Sequence, residues 1–350
     1  MRHRTLVSAL IVSVVIAIAM AATSSVSGQS APLEKPRAVA KAVPTGKPYT
    51  PPKTPDGQPD LQGFWTNSTY VPLERPNGVT KEFYNKEEAE AAMKRSAERE
   101  AEQTEPGTTA DVHYDFTQFG LDRSQSTFAT SLRTSQIYDP PDGKVPPLTA
   151  EGQKRQQERA AARKQAGGQY DDVKNMPIGS RCIIMAGAGP PMMNAGYNAN
   201  YQIVQGAGYV MILTEMIHDA RIIPIDNRPA PPSGVRQWTG ISRGHYEGNT
   251  LVVETTNFNG KNPFRNGSEN MKVTERFTRI ADDAIEYKFT IDDPATWTKS
   301  FSADLPLVKT DGPIFEFACH ETNFGIANIL AGAREDDKKA AEQKKKPSSN

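Results

Sequence analysis

The 350-residue chain has no net charge, its 41 basic side chains being matched by 41 acidic ones. That balance provides no field to draw it to nucleic acid or an anionic lipid surface, so neither partner is expected. Cysteine is almost absent: Cys182 and Cys319 are the whole complement. Two thiols are too few for a cysteine-based metal cluster or a disulfide-dense miniature fold. Several catalytic signatures are also missing, with no Gly-x-x-x-x-Gly-Lys, no His-Glu-x-x-His and no dinucleotide-binding glycine fingerprint. The familiar nucleotide-dependent and zinc-protease classes are therefore disfavoured, and no cofactor and no metal is expected. Past the N-terminus no apolar run approaches the ~18 residues that a membrane-spanning helix needs.

What is present begins with a leader. Arg2, His3 and Arg4 precede the apolar run Leu6–Met20, which ends at Ala19-Met20-Ala21. This is the pattern of a secretory signal over residues 1–21. The run would span about 22 Å, short of a hydrocarbon core of about 30 Å. The mature chain is thus expected to be exported, periplasmic or secreted, with no membrane insertion after signal cleavage. In an oxidising compartment Cys182 and Cys319 are expected to form a disulfide. Residues 22–58 are rich in Pro, Ala, Ser and Lys and read as a flexible linker, and residues 334–350 read as a disordered charged tail.

Between these ends lie two regions. Residues 59–181 read as helical or irregular, packing on the domain that follows: Asn85 caps a run from Lys86 to Gln103, and Thr149 caps Ala150–Ala166. Residues 182–333 hold eight β-prone runs: Tyr201–Gln205, Tyr209–Thr214, Ala220–Ile225, Gln237–Tyr246, Leu251–Thr256, Lys272–Ile280, Ile285–Ile291 and Trp297–Phe301. Glycine- and aspartate-containing turns separate several of them. The expected fold is mainly β with peripheral α-helices, an eight-stranded antiparallel up-and-down barrel, a two-sheet sandwich being the alternative. Asn323–Ala333 reads as a final helix packed across the barrel.

Five segments carry a family resemblance: Pro59–Trp65 (PDLQGFW), Thr214–Asp226 (TEMIHDARIIPID), Arg243–Asn257 (RGHYEGNTLVVETTN), Val273–Arg279 (VTERFTR) and Ala318–Arg334 (ACHETNFGIANILAGAR). The chain resembles a large group of secreted bacterial proteins of unassigned function. Gly63-Phe64-Trp65 is similar to the Gly-x-Trp that opens lipocalin-type barrels, which implies a lipocalin-like fold.

Strand faces supply the candidate site. Alternation in Val273–Arg279 puts Glu275 on the apolar face, where a carboxylate must be paired, hydrogen-bonded or neutral. It is either an acid/base group or a structural salt bridge to Arg243 or Arg221. On Ile241–Glu247, Arg243 and His245 share a face that is either luminal or solvent-exposed. A luminal face would complete a catalytic set of Glu275, His245 and Arg243. His218, Arg221, Trp238, Tyr287, Phe289, His320 and Glu321 are the candidate ligand-binding residues. Two readings follow: a barrel binding a small, largely apolar or aromatic ligand, or an exported isomerase, lyase or hydrolase working in the same cavity.

Overall fold

The computed structural model describes residues 49–101, 131–185, 187–194, 198–226, 228–229, 231–261, 264–321 and 323–345. The leader, residues 22–48 of the linker, and the end of the first helical run at Gln103 lie outside them. Ten strands form one sheet: β1 (Gly63–Thr66), β2 (Ile137–Asp139), β3 (Asn200–Gly206), β4 (Tyr209–Thr214), β5 (Ala220–Pro224), β6 (Ile241–Glu247), β7 (Thr250–Thr256), β8 (Lys272–Ala281), β9 (Ala284–Asp292) and β10 (Phe301–Lys309). Nine follow the order β5-β4-β3-β1-β10-β9-β8-β7-β6, while β2 pairs with β10 off this path. Every ladder along the path is antiparallel. This is an up-and-down barrel and not a sandwich, with more strands than the eight expected.

The extra strands come from outside the expected strand region. β1 and β2 belong to residues 59–181, so that region is not only helical or irregular. β1 carries Gly63-Phe64-Trp65 and lies between β3 and β10. Trp297–Phe301 is not a strand: Trp297 makes an isolated bridge to Leu148, and β10 begins at Phe301.

Eight antiparallel steps lead from β5 to β6, so these two end strands run in the same direction. Parallel neighbours cannot be joined by a hairpin, and residues 225–240 cross over between them. No backbone ladder joins β5 to β6. Side chains close the seam. A Cβ at Gly244 of β6 would lie 3.0 Å from Ile223 and 3.1 Å from Ile225, so glycine is what lets β5 approach. On the outer side Arg243 donates to the carbonyls of Asp226 and Arg228 in the crossover. Asn257 holds its far end through the Pro232 and Val235 carbonyls at 3.1 and 2.9 Å.

Side chains fill the lumen. Trp65, Tyr201, Phe277, Tyr287, Phe289 and Phe301 are fully buried in one cluster with Ile203, Ile212 and Met192. Phe277 and Tyr287 have ring centroids 4.9 Å apart, and the Arg279 guanidinium lies 5.8 Å from the Trp65 ring. Met192 follows the cis Pro190–Pro191 bond and is buried in this core.

Three α-helices flank the barrel among the described residues: α1 (Lys86–Ala101), α2 (Ala150–Gln165) and α3 (Phe324–Lys345). Asn85 and Glu88 cap α1 reciprocally, Asn85 Oδ1 accepting from the Glu88 amide at 2.8 Å and Glu88 Oε2 from the Asn85 amide at 2.9 Å. Thr149 caps α2 by accepting from the Gly152 amide at 3.0 Å. α3 departs from expectation twice. It continues to Lys345 through the segment read as a disordered tail, because Ala, Glu, Lys and Arg favour helix even where no core is available. It also does not pack across the barrel, since Phe324 and Ile329 are 67% and 45% exposed. The end of the expected flexible linker is ordered: Lys53 bridges Pro59, and Tyr49 Oη donates to Asp282 at 2.7 Å.

Cys182 and Cys319 form a disulfide with Cα atoms 5.7 Å apart, tying the segment before β3 to the approach to α3. No helix among the described residues is long and apolar enough to cross a membrane.

The seam makes Gly244 sensitive. Gly244→Val should lower stability by about 1–3 kcal/mol, the usual cost of overpacking, read as a lower urea midpoint at unchanged slope. An unchanged midpoint would mean that β5 and β6 do not meet there.

Candidate functional site

The alternation of β8 and β9 directs Glu275 and Tyr287 into the lumen, and both are fully buried. Arg221 reaches in from β5 and grips Glu275 with both terminal nitrogens, Nη1 to Oε1 at 3.2 Å and Nη2 to Oε2 at closer range. Tyr287 Oη donates to Glu275 Oε1 at 2.9 Å and accepts from the Met192 amide at 2.8 Å. Beside this group Asn67 Nδ2 donates to Tyr201 Oη at 3.2 Å, and Tyr201 Oη donates to the Gly187 carbonyl at 3.3 Å. Burial raises the pKa of both phenols, and the Glu275 charge raises that of Tyr287 further. The luminal polar group is therefore a charge-assisted bidentate pair held by the neutral Tyr287, with the neutral Tyr201 beside it. Of the two arginines considered for Glu275, Arg221 is its partner.

His245 and Arg243 are elsewhere. The β6–β7 hairpin pairs Glu247 with Thr250, and this register sets Gly244 opposite Val253 in the row that contains Glu275. Arg243 and His245 consequently face outward. His245 Nε2 lies 3.1 Å from Glu247 Oε1, and Arg276 donates to Glu247 at 2.7 Å. These two hydrogen bonds, that from Arg276 first, hold the Glu247 carboxyl below its ordinary pKa. The barrel wall separates the expected acid/base set, so Glu275, His245 and Arg243 do not form one site.

The expected ligand-binding residues are also dispersed. Tyr287 and Phe289 are core. Arg221 is taken up by Glu275. His218 is exposed with a φ of 56°, and His320 and Glu321 are exposed beside the disulfide. No three of His, Cys, Asp and Glu gather as a metal-binding group among the described residues.

Of that set, Trp238 lines a concavity. A depression of about 370 Å³ at the rim of the seam is lined by Trp238, Arg236, Gln237 and Thr239 from the crossover. Ile183 and Ile184 after the disulfide, Asp219 at the start of β5, and Asn259 complete it. Arg236 is fixed by the carbonyls of Phe258 at 3.0 Å and Glu269 at 2.6 Å, and lies 3.7 Å from the Glu269 carboxylate. Trp238 is half-buried, with Lys261 Nζ 5.9 Å from its ring. A second depression of about 340 Å³ lies on the outer wall over Arg243, His245 and Glu254. Sequence reasoning missed Asp219, Arg236 and Asn259 as neighbours of Trp238, because a crossover brings them together and no local spacing records it. Comparison of the chain with protein-family models, curated proteins and solved structures finds no match.

Two outcomes test the luminal group. Arg221→Met should destabilise by about 3–5 kcal/mol, because Glu275 would stay buried without its cation, whereas Arg221→Met with Glu275→Leu should recover most of the loss. Chemical denaturation of both variants measures this, and a single-variant cost below about 1 kcal/mol would place the pair in solvent.

The second outcome concerns alkaline pH. A raised folded pKa means that folding favours the neutral phenol, so the stability from Tyr201 and Tyr287 is complete below their unfolded value near 10. It is lost as pH rises through the folded values. The unfolding temperature should fall above about pH 10, and Tyr201→Phe should make that fall shallower. Parallel profiles for the variant and the parent protein would contradict the assignment.

Proposed function

We propose that the protein is an exported binder of small molecules whose site is the rim depression at the barrel seam. The observation that carries this reading is the pairing there of a half-buried Trp238 ring with polar groups fixed by the backbone, while the lumen is filled by its own side chains. The volume lies within the roughly 300–1,000 Å³ of small-molecule pockets. Trp238 offers a flat apolar face, and Ile183 and Ile184 extend it. The cation of Arg236 is offset by Glu269, which leaves Asp219 as the charge facing the space. The fitting ligand is small and largely aromatic, with a cationic or hydrogen-bond-donating edge.

Export is supported by the leader pattern of residues 1–21, by the resemblance to secreted bacterial proteins, and by the disulfide. The barrel serves as a rigid frame for the rim. An enzymatic reading within the lumen lacks its motive, because the only luminal carboxylate of the proposed acid/base set is fully engaged by Arg221 and Tyr287.

Fluorescence tests this reading directly. Of the three tryptophans, Trp65 and Trp297 are 0% and 3% exposed, so a ligand at the rim should perturb only Trp238. Titration with tryptamine and tyramine, against indole-3-acetate and benzoate, should give saturable quenching by the amines. Trp238→Ala should remove the signal, and binding measured by native mass spectrometry should weaken about tenfold, near 1.4 kcal/mol. Asp219→Asn should reduce the preference for amines over acids. No saturable binding of any of the four at millimolar concentration would sink the proposal.

A further inference from the structure

On the outer wall two oppositely charged residues stand directly across a ladder from each other and do not pair. Arg243 of β6 is the register partner of Glu254 of β7, and both face outward. Opposite charges so placed ordinarily attract across the strands. Here each is drawn the other way. Arg243 Nη2 donates to the Asp226 and Arg228 carbonyls of the crossover, while Glu254 Oε1 meets the Lys272 ammonium of β8. Arg243 therefore keeps Nε and Nη1, and Glu254 keeps Oε2, without a protein partner among the described residues.

Both residues line the outer depression of about 340 Å³. The other carboxylates around it have cations of their own. Asp226 also lines it, but its two oxygens accept from Arg228 Nε at 2.8 and 2.9 Å. Glu247, beside His245, accepts from Arg276 at 2.7 Å. Ile225, Pro231 and Ile241 add hydrocarbon to the lining. The depression thus offers free guanidinium donors, a free carboxylate oxygen and an apolar surface.

We propose that this depression binds a small zwitterion of the amino-acid kind, its carboxylate on Arg243 and its ammonium on Glu254. Such a ligand completes the ion pair that the crossover and Lys272 hold open. A lone carboxylate would be attracted by Arg243 but repelled by Glu254, and a lone amine would meet the reverse. Only a molecule with both charges satisfies both walls. The volume lies near the lower end of the roughly 300–1,000 Å³ of small-molecule pockets, which suits a ligand of few heavy atoms whose short hydrocarbon rests on the isoleucines. Because the charges are at the surface, binding should be weak and sensitive to salt. The outer depression shares no lining residue with the rim depression, so the site rests on no part of the rim reading.

Isothermal titration calorimetry of the mature chain tests the proposal, with glycine, β-alanine and γ-aminobutyrate compared with acetate and ethylammonium at matched low ionic strength. At least one zwitterion should saturate at millimolar concentration and bind about fivefold tighter than either singly charged probe, the gain that one additional exposed ion pair allows. Glu254→Gln should erase that margin, leaving the zwitterion and acetate equal. Arg243→Gln should abolish binding of both, but it also releases the crossover, so the decision rests on Glu254→Gln, a surface change that leaves the ladder intact. Trp238→Ala should bind the zwitterion as the parent protein does. No saturation by any zwitterion, a singly charged probe that binds as tightly, or a margin that survives Glu254→Gln would overturn the proposal. Loss of binding in Trp238→Ala would overturn it as well, by placing the ligand at the rim.

Discussion

The Arg221–Glu275 pair is the contact on which the barrel's closure turns. Nine strands in an antiparallel ring leave one neighbouring pair running the same way, and here that pair is β5 and β6. Backbone ladders hold every other interface, so β5 and β6 are the two edges of a sheet curled back on itself. Arg221 belongs to β5 and Glu275 to β8, two strands inward from β6. The pair fastens one edge to the opposite wall through the lumen, where low dielectric makes a bidentate contact stronger than it would be at the surface. Such a pair is weak evidence for net stability, since a well-packed apolar replacement often serves as well. Its value is in register: only one placement of β5 lets a guanidinium meet that carboxylate.

Seen from the seam, the polar residues that suggested chemistry have structural work. Arg243 faces outward and binds crossover carbonyls, which would otherwise be unpaired along the edge of β6. His245 and Arg276 converge on Glu247 across the outer surface of the sheet. Tyr287 bridges the luminal pair to the Met192 backbone, joining the segment before β3 to β9. Arg243 and His245 on β6 and Glu275 on β8 are the ordinary ingredients of acid/base catalysis. The pleat divides them, and geometry decides against composition.

Much of this was legible from pattern. The strict alternation of β8 and β9 placed Glu275 and Tyr287 inward, and the capping residues Asn85 and Thr149 marked the two helix starts. The facing of β6 was also recoverable. A two-residue loop at Gly248-Asn249 sets Tyr246 opposite Leu251 and Gly244 opposite Val253, so the apolar face of β7 assigns the even residues of β6 to the lumen. β10 was obscured by Asp304 and Pro306, residues that argue against a central strand until their partners are known. β1 was too short for periodicity to reveal, and its place between β3 and β10 depends on contacts far apart in the chain. Composition identified residues 334–345 as unable to build a core. That does not bear on whether they form a helix, and they do.

The strand count also explains where a concavity can occur. A barrel whose lumen holds six large aromatic side chains together with an ion pair has little room inside for a ligand. Tight hairpins join β3 to β4, β6 to β7 and β8 to β9. The parallel seam excludes a hairpin, and the crossover must travel the height of the barrel without joining a ladder. Its last residues, Arg236 to Thr239, are held away from the wall by the Gln237–Asn257 and Gln237–Asn259 backbone bonds, and the space behind them is the rim depression. The disulfide sets the opposite side of that space, because Ile183 and Ile184 follow Cys182 directly. The concavity is thus a product of odd strand number, a crossover and one covalent tie, and none of the three is a catalytic motif.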